Sequence, residues 1–247
     1  MPLRFLAVSF ASQDPERVGA FWGAMLGRDP TTGAGGILLP GSATQCGLAF
    51  HKASRTDGPG RVHLHLTSGS AAAQRASVER AIGLGACHLD VGQRPEEGHI
   101  VLGDPDGNAF CVIEPHNNYL AGTGFLGELA CDGTREVGLF WSAALDWPLV
   151  WDQDEETAIQ SPVGGTKLAW GGPPVAPPDG GEHFIVTAVD PAREAERLWS
   201  LGAQLLAEKP TGAIELTDPD GTRFVLICDA SVTRSGSRGS TPPSPGG

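Results

Sequence analysis

The feature that most constrains the fold of this chain is an internal duplication. Residues 18–26 and 137–145 are identical at six of nine positions, at an offset of 119 residues. Three further matches occur in the same order: His63, Leu84-Gly85-Ala86 and Asp104-Pro105-Asp106-Gly107 recur as His183, Leu201-Gly202-Ala203 and Asp218-Pro219-Asp220-Gly221. Their offsets of 120, 117 and 114 residues indicate two copies of a unit of about 115 residues, the size of a domain rather than of a solenoid repeat.

Each copy divides again into units of one pattern. In the first unit, an apolar run over residues 3–10 reads as a strand and precedes Asp14-Pro15-Glu16, which is typical of a helix start. Apolar residues at spacings of three and four then predict a helix that ends at Gly27. Short strand-like runs follow at residues 36–39 and 46–52.

The pattern restarts three more times, with strands opening at residues 61, 126 and 183 and helices capped by Ser70, Thr134 and Asp190. The sequence therefore predicts an α+β fold of four βαβββ modules. We place the two domains at residues 1–117 and 118–230. The Ser-, Gly- and Pro-rich stretch 231–247 is predicted to be a disordered tail.

Charge and composition exclude several classes of protein. The 17 basic residues are outnumbered by 29 acidic ones, and no basic stripe is visible, so we predict no nucleic-acid partner. No segment approaches the roughly 18 apolar residues of a membrane span, and the first ten residues do not resemble a secretory signal. The five cysteines include no CxxC pair. We therefore expect a cytoplasmic protein with reduced cysteines and no membrane partner.

Three motifs carry a resemblance to a known superfamily. They are Asp14-Pro15-Glu16-Arg17 with the following Phe21-Trp22 and Leu26-Gly27, the strand Arg61-Val62-His63-Leu64, and the turn Asp104-Pro105-Asp106-Gly107 with Asn108-Ala109-Phe110. Together they resemble the vicinal oxygen chelate superfamily, which includes glyoxalase I, extradiol dioxygenases, fosfomycin-modifying enzymes and bleomycin-resistance proteins. The resemblance implies two tandem glyoxalase-like domains, in which pairs of modules form curved eight-stranded sheets around concave pockets.

The resemblance also implies positions for the ligands of a divalent metal. They fall near Ala7, His63 and Cys111 in the first copy and near Leu126, His183 and Val225 in the second. His63 and His183 are the only residues of the expected ligand type among these, and the last-strand carboxylate is absent from both copies. We therefore expect no metal cofactor.

Two variant sites for Zn, Fe, Mn or Ni are the alternative. One would use His51, His63 and His65, of which the last two share a strand face at a spacing of two. The other would pair Glu128 with His183, as metal ligands or with Glu128 as a general base. His99, beside two glutamates, is expected to be a solvated turn residue.

Trp151 and Trp170 lie on short predicted strands of the second copy, where the resemblance implies a pocket wall. Aromatic walls hold flat, apolar or cationic ligands by stacking and cation–π contacts. Trp22 and Trp141 occupy equivalent helix positions and are expected to pack between helix and sheet instead.

These expectations lead to two functional hypotheses. The first is a small-molecule-binding protein without a working metal site. By resemblance to the bleomycin-resistance proteins, it would hold an aromatic or cationic compound through His63, His183, Glu128, Trp151 and Trp170. The alternative is a metal-dependent enzyme, either a glyoxalase-like lyase or isomerase or an extradiol-type dioxygenase. The catalytic residues stay unassigned. We expect a monomer with an internal pseudo-dimer, and a homodimer is the alternative.

Overall fold

The computed structural model of the chain describes residues 3–33, 35–53, 60–94, 96–177 and 181–229. Within these ranges the chain forms four βαβββ modules, so the predicted α+β architecture is confirmed. One strand was not expected: Thr31–Gly33 is exposed at the edge of a sheet, and its three residues lack the apolar alternation that identifies a strand. The predicted tail at residues 231–247 lies outside the described residues.

The first two modules come from the first sequence copy. Module 1 contains β1 (Arg4–Ser12), α1 (Pro15–Leu26), β2 (Thr31–Gly33), β3 (Gly36–Leu39) and β4 (Gly47–Lys52). Module 2 contains β5 (Val62–Leu66), α2 (Ala71–Gly83), β6 (Cys87–His88), β7 (Ile100–Gly103) and β8 (Ala109–Val112).

The last two modules come from the second sequence copy. Module 3 contains β9 (Leu126–Cys131), α3 (Arg135–Leu145), β10 (Leu149–Gln153), β11 (Glu156–Gln160) and β12 (Lys167–Trp170). Module 4 contains β13 (Glu182–Ala188), α4 (Pro191–Ser200), β14 (Gln204–Glu208), β15 (Ile214–Thr217) and β16 (Arg223–Cys228).

The modules pair across the two sequence copies. Sheet A has the strand order β14-β15-β16-β13-β1-β4-β3-β2 and therefore joins module 4 to module 1. Sheet B has the order β10-β11-β12-β9-β5-β8-β7-β6 and joins module 3 to module 2. At the centre of each sheet the first strands of two modules run antiparallel, β1 with β13 and β5 with β9. Each sheet thus carries residues of both copies, and neither sheet is built from one copy alone.

The core lies between the sheets and is filled by the helices of modules 1 and 3. Trp22 of α1, in the module that belongs to sheet A, contacts Phe110 of sheet B at a ring-centroid distance of 5.0 Å. Trp141 of α3 makes the reciprocal contact with Phe224 of sheet A at 5.1 Å. Both tryptophans are fully buried, so their predicted role in the helix–sheet core is confirmed.

The helix ends follow the predicted capping residues with one exception. Asp14, Ser70 and Asp190 each accept a hydrogen bond from the backbone N–H three residues later. Thr134 precedes α3 but makes no such bond, because its hydroxyl donates to Asp220 instead. In the part of the chain that the structure describes, no helix is long and apolar enough to cross a membrane.

Candidate ligand-binding site

A row of four polar side chains crosses the centre of sheet B. Strand register pairs His65 of β5 with Glu128 of β9 on one side and with Cys111 of β8 on the other. Glu128 is in turn paired with Lys167 of β12. Residues paired across neighbouring strands point to the same face of a sheet. Because Val62, Leu64 and Leu66 fill the core face of β5, the row lies on the opposite face, here called the open face.

A cavity of about 570 Å³ lies over the module 2 half of this open face. Its wall is mostly aliphatic. The polar lining consists of His63, His65, His99, Asn108, Cys111 and Glu182. The apolar lining consists of Ala11, Val62, Leu89, Val91, Val101, Ala109 and Ile113, with three glycines between them. Ala11 and Glu182 come from sheet A, so both sheets contribute to the cavity.

Three potential metal donors meet in this cavity. The ligand atoms of His63, His65 and Cys111 all lie within 4.8 Å of one another. Behind them, Nδ1 of His65 lies 2.6 Å from Oε2 of Glu128, and the hydroxyl of Tyr119 donates to Oε1 of the same carboxylate at 2.6 Å. The Glu128 side chain is nearly fully buried, so these two bonds fix both its oxygens and the plane of the His65 ring.

The charges of the cluster follow from burial and hydrogen bonding. Burial opposes a charge on His65, but hydrogen bonds to Cys111 and Glu128 outweigh it and raise the pKa of His65 to about 9. Burial, aided by the neighbouring His65, lowers the pKa of His63 to about 4. Burial also opposes ionisation of Glu128, yet its hydrogen bonds from His65 and Tyr119 lower its pKa. At neutral pH the cluster therefore holds a cationic His65, an anionic Glu128 and a neutral His63.

The segment between β8 and β9 covers the module 3 half of the open face. Its Tyr119 contacts the cluster of Val101, Cys111, Ile113 and Leu120, and its backbone carbonyl accepts a hydrogen bond from Lys167. Burial lowers the pKa of Lys167, and burial together with the charge of Glu128 raises the pKa of Tyr119. Nothing in the sequence pattern distinguishes Tyr119 or Lys167 as members of the site, because their placement depends on the path of this segment.

A second, smaller histidine cluster occupies the equivalent face of sheet A. The rings of His51 and His183 are 4.9 Å apart between centroids, and Nδ1 of His51 lies 3.0 Å from the hydroxyl of Ser9. His183 is the counterpart of His63 in the duplication. By strand register, the positions of sheet A that match His65 and Glu128 are Ile185 and Ala7, which are apolar. The duplicated positions therefore carry different chemistry in the two sheets.

The structure corrects both groupings of histidines that the sequence suggested. His51 is not beside His63 and His65, because β4 belongs to sheet A and β5 to sheet B. Glu128 binds His65 rather than His183 for the same reason. The two clusters instead combine residues of modules 2 and 3 in one case and of modules 1 and 4 in the other.

The prediction that Trp170 forms part of an aromatic pocket wall is wrong. This side chain is 2% exposed and belongs to the core, because strand alternation places it on the face of β12 opposite to Lys167. Trp151 is 37% exposed on the edge strand β10 and contacts the Tyr119 ring at 5.8 Å, outside the cavity lining. His99, expected to be a solvated turn residue, lines the cavity.

The residues present fit a divalent transition metal. Two imidazoles and a thiolate are ligands that Zn²⁺ and related ions accept. Neutral His63 is ready to bind, whereas His65 would release a proton on binding. Glu128 holds the Nδ1 side of His65, which is how carboxylates commonly orient metal-binding histidines. Sequence reasoning missed this set because it looked for a carboxylate at the position of Cys111.

Comparison with known proteins agrees with the geometry. The family model of the glyoxalase-like domain matches residues 7–113 and 128–227, one segment in each sequence copy. A search of curated protein sequences finds no match. Glyoxalase I from Zea mays superposes with a TM-score of 0.66 at 15% identity, over 94% of this chain and 95% of that one.

A putative dioxygenase from Bacillus subtilis subsp. subtilis str. 168 superposes with a TM-score of 0.58 at 14% identity. The match covers 92% of this chain and 85% of that one. Identities this low show a shared fold and carry no information on substrate.

Proposed function

Because the chain belongs to the glyoxalase-like domain family, as its motifs predicted, we propose that it binds a small molecule in the cavity of sheet B. The observation that carries the proposal is the convergence of His63, His65 and Cys111 on the lining of a largely apolar cavity. A volume of about 570 Å³ lies within the range of small-molecule sites, and a few convergent polar groups on an apolar wall are their usual composition.

The lining favours a molecule with an apolar body and one oxygen-bearing polar end. Among the described lining residues, histidines supply the only aromatic rings, so the cavity offers no tryptophan or tyrosine stack for a flat cation. His65 carries a proton at neutral pH and its Nδ1 is engaged by Glu128. Its other N–H, which contacts the Cys111 side chain, suits a carbonyl or carboxylate oxygen of the ligand as a second acceptor.

Within this site Glu128 acts as a positioning residue. It holds the His65 ring and its charge, and Tyr119 holds Glu128. The aliphatic wall gives the cavity a low local polarity, which strengthens each hydrogen bond that a ligand makes inside. Because both halves of sheet B come from one chain, a single chain completes the cavity, and we propose that the monomer is the functional unit.

Thermal unfolding in the presence of a library of apolar carbonyl and carboxylate compounds tests the proposal. A ligand at 100 times its Kd should stabilise the protein by about 2.7 kcal/mol. His63→Ala should abolish the shift, and His183→Ala, which removes the equivalent histidine of sheet A, should preserve it. Loss of the shift in both variants, or in neither, would place the ligand elsewhere.

The donor set favours a second candidate, a metal-dependent lyase, isomerase or dioxygenase that uses the same cavity. His63, His65 and Cys111 would hold the metal, and Glu128 would orient His65. A bound divalent ion would supply Lewis-acid polarisation of a substrate oxygen. Elemental analysis separates the two candidates. The metal content of wild type is compared with that of Cys111→Ser, and Cys131→Ser in the core strand β9 is the control. About one metal per chain that is lost only in Cys111→Ser would favour the enzyme.

A further inference from the structure

The histidine cluster of sheet A includes an arginine, whereas the polar row of sheet B has Lys167 and the carboxylate of Glu128. Strands β13 and β16 are parallel, and their register pairs Phe184 with Phe224. The preceding residues, His183 and Arg223, are therefore side by side on the open face of sheet A. Ser9 of β1 is paired with His183 from the other side, and the His51 ring lies 4.9 Å from the His183 ring.

The guanidinium of Arg223 has no carboxylate within ion-pair distance among the described residues. The carboxylate nearest to it by strand register, Glu215 of β15, binds Lys209 at 3.0 Å. Burial, followed by the charges of its neighbours including Arg223, lowers the pKa of His183 to about 3. Burial and Arg223 likewise lower the pKa of His51. The cluster thus combines one fixed positive charge with two neutral imidazoles, in a chain whose formal net charge is −12.

One polar atom of the cluster is buried without a partner. Nδ1 of His183 is inaccessible and makes no hydrogen bond to any described residue. Leaving such an atom unpaired is unfavourable, so native proteins rarely do so without a reason. His51, in contrast, has its Nδ1 engaged by Ser9, which fixes the ring and leaves Nε2 for another partner.

The charge of the cluster decides which class of ligand it suits. A metal ion would be repelled by Arg223, and the cluster holds no carboxylate or thiol to compensate among the described residues. An oxyanion would be attracted to the guanidinium, whose fork matches the spacing of two carboxylate or phosphate oxygens. Neutral imidazoles add N–H donors at the side.

From these contacts we infer that sheet A carries a site for a small oxyanion, a carboxylate or phosphate group, bound by Arg223 together with His183 and His51. The site is separate from the cavity of sheet B, and it does not depend on the proposed function there. The two halves of the duplication have therefore diverged: one offers an apolar cavity with metal-type donors, and the other offers an arginine beside two neutral histidines.

Titration of the full-length protein with inorganic phosphate, and separately with acetate, tests the inference by NMR of the histidine ring signals. For wild type, we expect saturable shifts of the His51 and His183 signals at phosphate or acetate concentrations that leave those of His63 and His65 unchanged. The anion with the lower saturating concentration identifies phosphate or carboxylate as the preferred group. Uniform shifts of all histidines, or no saturation with either anion, would overturn the inference.

Variants supply the second arm of the test. Arg223→Gln should weaken the binding of the preferred anion by about tenfold or more, since it removes the charge and the fork. Arg193→Gln on the exposed surface of α4 removes the same charge elsewhere and should leave binding unchanged. Equal weakening in both variants would show a general effect of net charge and would overturn the site. If Arg223→Gln alters folding, the NMR titration of the wild type still tests the inference.

Discussion

The indole N–H of Trp141 donates to Oδ2 of Asp218 at 3.1 Å, across 77 residues of sequence. Trp22 makes the same bond to Asp104 at 3.0 Å in the first copy. Each bond ties a helix to the turn between the last two strands of the following module. The other oxygen of each aspartate accepts backbone N–H groups of its own turn. The Asp-Pro-Asp-Gly repeat is therefore more than a turn: its first aspartate is a buried hydrogen-bond acceptor that joins two modules.

The bond to Trp141 should be measurable as stability. Trp141→Phe keeps most of the ring volume but leaves a buried oxygen of Asp218 without its donor, at a cost of about 1–3 kcal/mol in the free energy of unfolding. Urea unfolding provides the value. Trp199→Phe, at a side chain that is 73% exposed, should change the free energy by much less. Equal losses in the two variants would contradict the role of the bond.

The carboxyl group of Asp218 should make stability depend on pH. Burial outweighs its hydrogen bonds and raises its pKa from 3.8 to about 6, so the folded state favours the protonated form. The contribution of this group to stability is greatest below about pH 4 and is lost as pH rises to about 6, by about 3 kcal/mol. The wild type should therefore exceed Asp218→Asn in stability by more at pH 4 than at pH 7.

Urea unfolding of both proteins between these pH values checks the prediction. Asp154→Asn, in an exposed turn, is the matched control for the loss of one carboxylate charge. A constant difference between wild type and Asp218→Asn would mean that folding does not raise the pKa of Asp218.

The pair of His65 and Glu128 should also make stability fall as pH rises, but over a higher range of pH than Asp218. Because the pKa of His65 is raised above its ordinary value of 6.5 to about 9, its charge stabilises the fold below about pH 6.5, and this stabilisation is lost as pH rises through about 9. Glu128→Gln removes the opposing charge, so the pKa of His65 should fall and the loss between these pH values should shrink. Histidine NMR titration measures the pKa directly.

Tyr119→Phe is the matched control for this pair. It removes one hydrogen bond to Glu128 but leaves the carboxylate charge beside His65. The pKa of His65 should therefore remain well above 6.5. If both variants lower it equally, the charge of Glu128 is not its cause.

The repeated glycines of α1 and α3 should resist substitution. A Cβ atom at Gly138 would overlap the side chain of Thr157 on β11, and one at Gly19 would lie 2.5 Å from Cγ2 of Ile37 on β3. Since both helices lie tightly on their sheets here, Gly138→Ala should destabilise the protein by about 1–3 kcal/mol. Gly83→Ala, where the added Cβ meets nothing, should be neutral or slightly stabilising. If urea unfolding shows that Gly138→Ala is as stable as wild type, the close approach of α3 to β11 is contradicted.

Local sequence patterns and the internal duplication by themselves determined the module architecture of this protein. The Asp-Pro helix starts, the apolar spacing of α1 and the recurrence of 18–26 at 137–145 predicted four βαβββ modules and the family. These features can be recognised in the sequence because each depends on residues that are close together in the chain, or on similarity between two segments. The burial of Trp22 and Trp141 followed from the same helical spacing.

Which modules share a sheet was decided only by the tertiary structure. The pairing of β5 with β9 brings Glu128 to His65, and the pairing of β1 with β13 brings His183 near His51, whereas the sequence suggested the reverse combinations. The alternation of side chains along β12 likewise places Trp170 in the core and Lys167 on the open face. Hydrogen-bonded registers join residues that are far apart in the chain, and four modules with nearly the same apolar pattern can satisfy that pattern in more than one pairing.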